Sequence, residues 1–236
     1  MITATIIKSE LLKHQRPEKA KFHLRFFKTG KGEYGEGDQF LGVSMPNQRK
    51  VAKKYHKEIS LKEITDLLKS KIHEHRMTGL LFLVYKYEKS NEKEREILFN
   101  FYIKNLNAIN NWDLVDVTTP NIVGNWLIDK DKDILYTFAR SSNLWKRRIA
   151  ILATFRFIKH NKFDDTLKIA KILLNDKHDL IHKAVGWMLR EIGKRDQVLL
   201  ETFLHKHYKE MPRTMLRYAI ERFEESKRKM YLKGQV

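Results

Sequence analysis

Asn110-Asn111-Trp112-Asp113-Leu114-Val115-Asp116 reads as the start of a helix, and a large residue in the place of Trp112 returns at a nearly fixed interval. Counting outward, Arg76 lies 36 residues earlier, and Arg148, His182 and Arg217 follow at steps of 36, 34 and 35. Two positions after each stand Thr78, Leu114, Ala150, Ala184 and Ala219, small in all but one case. A large polar or aromatic residue followed by a small one, at the period of a helix pair, predicts stacked α-hairpins. Equivalent helices in such an array line one concave face, so Trp112 and Arg148 are expected on neighbouring repeats. The expected fold is all-α, an α-α superhelix of helical repeats, with residues 1–236 forming one domain.

The flanking sequence agrees with helices. Segments 60–70, 91–105, 143–159, 178–194 and 213–230 carry apolar residues at helical spacing, and no sustained alternation argues for strands. Pro17, Pro46, Pro120 and Pro212 each precede an amphipathic segment, as at the first turn of a helix. Ser44 and Thr119 lie just ahead of two of them and are candidate caps. The long loop Gly30-Lys31-Gly32-Glu33-Tyr34-Gly35-Glu36-Gly37-Asp38 matches G-x-G-x-x-G formally. A dinucleotide site needs a strand before such a run and a helix opening within it. A helical pattern precedes this one, so it is expected to be a flexible inter-helix loop.

Lys and Arg number 47 against 29 Asp and Glu, a formal charge of +18. That excess favours a polyanionic partner, since phosphate neutralisation supplies most nucleic-acid affinity. Cysteine is absent, which excludes disulfides, thiolate zinc sites and cysteine nucleophiles and is compatible with a reducing cytoplasm. The N-terminus has no long apolar segment ending in a small-residue cleavage site. The longest apolar run, Leu80 to Tyr85, is too short to span a bilayer. A cytoplasmic protein without membrane contact is expected.

On a helix, Trp112 and Asp116 (i, i+4) project from one face about 6 Å apart along the axis, while Asp113 points roughly 100° away from Trp112. If Asn110 caps the helix, Asp113 falls at its third position, where a carboxylate meets unpaired N–H groups and the helix dipole. Asp113 is therefore expected to be structural. Asp116, beyond the first turn, has no such role and is either a functional acid or a solvated surface one. The two acids fit poorly as a sugar-hydrolase pair, which needs carboxyls about 5–9 Å apart across a substrate.

Trp187, Arg190 and Lys194 form one aromatic-basic stripe suited to nucleic-acid contact. Trp126 and Trp145 are expected in the core. In the basic cluster Lys146-Arg147-Arg148 with Arg156, Arg147 is expected on a solvated face. Arg148, in register with Trp112, is the better phosphate clamp because a guanidinium pairs bidentately with phosphate. His178-Asp179-Leu180-Ile181-His182 has imidazoles at i, i+4 but aspartate in place of the glutamate base and no third ligand, so no metal is implied. His73 and His75, like His205 and His207, read as surface residues.

With these residues in hand, the chain resembles the AlkD-type DNA alkylation-repair glycosylases, an α-helical family of HEAT-like repeats. The resemblance runs over essentially the whole chain. It is carried by Pro17-Glu18-Lys19-Ala20, Gln39-Phe40-Leu41-Gly42-Val43, Pro46 and Arg49, then Asn111 to Asp116 and Trp145 with Arg148-Ile149-Ala150-Ile151-Leu152. Ile181-His182-Lys183-Ala184-Val185-Gly186-Trp187-Met188-Leu189-Arg190-Glu191 and Arg213 to Glu221 complete it. The resemblance implies HEAT-like repeats with a concave basic face. It makes Asp116 the catalytic carboxylate and Trp112 and Trp187 aromatic walls beside the lesion's deoxyribose. Arg148 holds the backbone near the lesion, and Arg156, Arg190 and Lys194 sit where the family contacts phosphates. Two positions depart from the family: Phe26 replaces a tyrosine, removing a hydroxyl, and Ser44 stands near a usual glutamine. The Gly-rich loop is also longer than in compact members.

The function implied is a monofunctional hydrolase that removes cationic N3-/N7-alkylated purines from double-stranded DNA. It would leave an abasic site, work without flipping the base into a pocket, and act as a monomer with no cofactor. The competing readings are a non-catalytic protein of the same fold that binds DNA structure or damage, and a basic helical-repeat adaptor for RNA or an acidic protein.

Overall fold

The structure, a computed structural model, describes residues 2–236. It is all-α: among the described residues the only strand-like pairing is an isolated parallel bridge between Gln39 and Ile72. None of its helices is long and apolar enough to cross a membrane. The chain forms two compact units, Met1–Thr118 and Thr119–Val236.

In the first unit the helix His73–Lys89 is central, and Met45–Tyr55, Leu61–Leu68 and Ala4–Leu12 all pack on it. Every residue from His73 to Tyr85 is buried. A helix apolar on all sides shows no amphipathic period, because every face meets core. Its first turn, His73-Glu74-His75-Arg76, is polar and just as buried. This corrects the surface reading of His73 and His75, which are 3% and 5% exposed. Glu92–Lys104 follows, opened by a capping box between Asn91 and Glu94.

In the second unit Leu144–Lys159 packs against Asp133–Ala139, the π-helical turn Pro120–Gly124 and Asp179–Gly193. Asp179–Gly193 packs in turn on Gln197–His207 and Arg213–Ala219. Two glycines allow this closeness. A Cβ at Gly124 would lie 2.4 Å from the Ala153 carbonyl oxygen, and one at Gly186 2.5 Å from that of Met215. Neither backbone can yield.

The repeat is visible as burial. Thr78, Leu114, Ala150 and Ala184 are wholly buried and Ala219 is 1% exposed, while the residues two before them fall within the first five positions of the helices that begin at His73, Trp112, Leu144, Asp179 and Arg213. The small position faces the core in every repeat, including the one occupied by leucine.

Boundaries differ at three places. Pro17 and Pro46 lie in first helical turns and Pro212 just before one, but Pro120 lies inside a continuous helical run from Trp112 to Leu127. Thr119 is itself helical (φ −58°, ψ −49°) and is no cap. An internal proline lacks the N–H and crowds the preceding turn, and the π-helical widening begins at that residue. Ser44 occupies its cap position without a side-chain cap bond. The 213–230 segment is two helices, Arg213–Ala219 and Glu225–Lys233.

Candidate functional site

The helix Trp112–Thr119 is fixed by a polar network beneath it. Asn111, not Asn110, sits at its start, with Oδ1 accepting from the Trp112 N–H at 2.8 Å. Asn110 turns to Arg76 and Asp38 instead, accepting from Arg76 Nη2 at 3.0 Å and donating to Asp38 Oδ1 at 3.2 Å. Asp113 is consequently the second residue of the helix. It remains structural, by a route beyond the helix dipole: Oδ1 accepts from the Leu114 N–H and Oδ2 from His73 Nε2, both at 2.8 Å.

His73 also meets Asp38 Oδ2 through Nδ1 at 3.3 Å, and Asp38 Oδ1 accepts from Arg76 Nη2 at 2.7 Å. Two cations and two carboxylates thus alternate in the sequence Arg76–Asp38–His73–Asp113. Burial alone disfavours the charged imidazole, but the negative charge of Asp113 and hydrogen bonds to Asp113 and Asp38 outweigh it, lifting the His73 pKa to about 9. Next door, burial pushes His75 down to about 4, with Lys8 and Arg76 adding to the effect. The network thus favours the charged form of the first imidazole and the neutral form of the second.

Aromatic rings lie over this network. His73 stacks with Phe27 (centroids 5.0 Å, 29°) and with Phe40 (4.9 Å, 25°). Trp112 stacks on Phe27 at 5.3 Å and 26° and meets Phe26 edge-on at 5.7 Å. The indole is half-buried, so one side is supported. Asp116 follows one turn later, also half-buried. Phe26 is 49% exposed, a phenyl where the family resemblance expects a hydroxyl.

The remaining candidates lie in the second unit. Arg148 is 5% exposed and its Nη1 donates to the Leu180 carbonyl. Arg147, expected on a solvated face, is instead pinned: Nε donates to Asp176 Oδ2 at 2.6 Å and Nη1 to the Ser141 and Ser142 carbonyls. Arg156 is half-buried, with Nε lacking a hydrogen-bond partner. Trp187 rests against Phe155 at 5.7 Å, and its Nε1 donates to Glu191 Oε1 at 3.1 Å. Lys194 donates to the same oxygen at 2.6 Å, and Arg190 pairs with Glu221. Trp126 and Trp145 are half-buried and not core, with Lys130 Nζ 4.2 Å over the Trp126 ring. His178 caps its own helix, accepting from the Leu180 N–H, and His182 meets the Asp176 carbonyl.

Asp38, His73, Arg76 and Asn110 acquire their role only in three dimensions. Asp38 ends the Gly-rich loop, and 72 residues separate it from Asn110. Glu74 fastens the same segment by accepting the backbone N–H groups of Leu41, Gly42 and Val43. The loop is thus anchored at its C-terminal end.

The family model for the DNA alkylation repair enzyme matches residues 7–223. Among solved structures, a chain described as a predicted DNA alkylation repair enzyme from Enterococcus faecalis shares the fold. The TM-score is 0.71 at 17% identity, over 90% of this chain and 98% of that one. No curated protein matches. With a family match over nearly its whole length, and the helix of Trp112 and Asp116 inside the matched span, the chain belongs to the DNA alkylation repair enzyme family.

Proposed function

We propose that the protein is a monofunctional DNA glycosylase, hydrolysing the N-glycosidic bond of cationic N3- or N7-alkylated purines in double-stranded DNA and leaving an abasic site. Alkylation at these nitrogens gives the purine a positive charge, so it leaves without a general acid while the sugar gains oxocarbenium character. The Asp116 carboxylate stabilises that cation and positions the attacking water, electrostatic work of the kind that dominates such catalysis. The faces of Trp112 and Trp187 contact the sugar and favour its cationic form, worth about 0.5–2 kcal/mol each. No base pocket is needed for the cleavage, unlike the extrusion used by many base-modifying enzymes. Arg148, Arg156, Arg190 and Lys194 take the DNA backbone, and the protein acts as a cytoplasmic monomer.

The observation that carries this reading is the division of labour on one helix. Asp113 is committed to His73. Asp116 stands on the side of the helix that carries Trp112, in a chain with a formal charge of +18. The test is Asp116→Asn against methylated duplex DNA. Release of 7-methylguanine should fall by about 10²-fold or more, the scale of losing one preorganised electrostatic group, with DNA binding retained. Unchanged release would sink the assignment. Absent release by the wild-type protein with tight DNA binding would favour a non-catalytic role, and no preference for DNA an adaptor.

A further inference from the structure

Within the first unit lies a cavity of about 250 Å³ to which neither Asp116 nor Trp112 contributes. Four phenylalanines, Phe22, Phe26, Phe27 and Phe40, give it flat apolar walls. Phe22 and Phe26 are stacked on one another at 5.5 Å and are 61% and 49% exposed, so they form the open side.

Its polar groups are unequal. Glu74 is spent on three backbone N–H groups and Asp113 on His73. Gln48 is different. It is 5% exposed, and its Nε2 donates to the Val43 carbonyl at 2.9 Å, which fixes the orientation of the amide. Its Oε1 then faces no donor, and the buried Nδ1 of His23 also has no hydrogen-bond partner. A buried acceptor without a donor is destabilising and rare in folded proteins. Gln48 Oε1 is such an acceptor on the wall of an aromatic cavity, whereas His23 Nδ1 lies 3.9 Å from Glu74 Oε1.

The ligand chemistry follows from walls, edge and size. Phenylalanine faces select a planar ring, and Gln48 Oε1 asks for an N–H. Both carboxylates on the wall are engaged and the other charged groups there, Lys19 and His73, are positive, so a cation is disfavoured, while the unpaired Gln48 acceptor disfavours an anion; an uncharged ligand fits both. Ligand pockets for drug-sized molecules run from about 300 to 1,000 Å³, so this smaller volume suits one fused ring system without a sugar. We propose that this cavity binds a neutral planar nitrogen heterocycle of purine-base size, stacked on phenylalanine and donating an N–H to Gln48. The inference stands apart from the reaction proposed at Asp116. Such a base could be free in solution or extruded from a duplex.

Calorimetric titration of the full chain with adenine, 3-methyladenine and 7-methylguanine tests it. Binding is expected, weakened roughly tenfold in Gln48→Met by the loss of one buried hydrogen bond. It should also weaken in Phe22→Ala, whose exposed position makes it safe for folding. No binding at millimolar base, or equal binding by wild type and both variants, would overturn the site. Repeating the titration with saturating methylated duplex separates the sources. Suppressed uptake means that the duplex supplies the base, unaltered uptake means that the free base is the ligand, and either supports the cavity. Asp116→Asn should bind bases like wild type. Loss of excision with base binding intact therefore leaves this inference standing, and the converse removes it alone.

Discussion

Trp112 and Trp187 look alike in sequence, each four residues ahead of an acid, yet they are held by opposite means. Trp112 leans on Phe27, which in turn stacks on His73, an imidazolium between Asp38 and Asp113. Trp187 is held by a tilted contact with Phe155 and one hydrogen bond to Glu191. Glu191 also pairs with Lys194 and lies 3.7 Å from Arg190 Nε. The first indole is therefore set by a buried foundation that no ligand needs to disturb. The second is set by a half-buried carboxylate that also holds two cations. Preorganisation is built under one indole, and adaptability under the other.

The comparison breaks most sharply at Phe27. Its ring supports Trp112 from below and covers His73, and it is 7% exposed. Truncation to alanine is expected to cost about 3–5 kcal/mol. The loss should be read as a lower urea midpoint together with a changed Trp112 environment in ring-proton NMR. Removing Phe155, half-buried and bearing on Trp187 through one tilted ring contact, should cost less than half as much. Equal losses would mean that the two indoles are equally well founded.

A smaller effect separates His73 from His75. The folded pKa of His73 is raised above its unfolded value of about 6.5 to about 9. Its contribution is therefore fully present below pH 6.5 and is lost as pH rises through 9. His75 is shifted down to about 4, so its contribution is present above pH 6.5 and is lost as pH falls toward 4. Urea midpoints should thus decline on both sides of neutrality. The alkaline limb should flatten in His73→Gln and the acid limb in His75→Gln. An alkaline limb that persists in His73→Gln would place its origin outside this network.

How much of this was legible follows from the period of the pattern. Thr78, Leu114, Ala150, Ala184 and Ala219 could be read because a repeat buries the same position each time. Asp113 could be read as structural from its place at a helix start, although Asn111 and not Asn110 begins that helix and His73 supplies its main partner. His73 could not. It begins a helix so thoroughly buried that no polar face remains to mark a boundary, and its partners Asp38 and Asp113 are distant in sequence. A signal was present nonetheless: four polar residues opening an otherwise apolar run must enter the core with it and must then be paired. Arg147 was misread for a related reason, since its partner Asp176 lies 29 residues away. The tryptophan pair was the hardest, because Trp-x-x-x-acid spacing is the same whether the acid holds the ring, as Glu191 does, or is proposed to do chemistry, as Asp116 is.

The finest test lies beside Trp187. If Arg190 and Lys194 contact phosphate, DNA binding must first part them from Glu221 and Glu191. Each pair joins a half-buried partner to an exposed one, Arg190 at 17% with Glu221 at 46% and Glu191 at 15% with Lys194 at 40% of side-chain accessibility, so each is worth about 1 kcal/mol. Glu191→Gln keeps an amide oxygen for the Trp187 N–H while removing the charge, and Glu221→Gln does the same for Arg190. Each variant should therefore bind duplex DNA up to about fivefold more tightly at low salt, by the free energy no longer spent on parting the pair. The gain should shrink as salt screens the competing charge. Folding stability should hardly move. Tighter binding with unaltered stability would establish that the carboxylates hold these cations in reserve, and unchanged affinity in both variants would remove Arg190 and Lys194 from the proposed phosphate contacts.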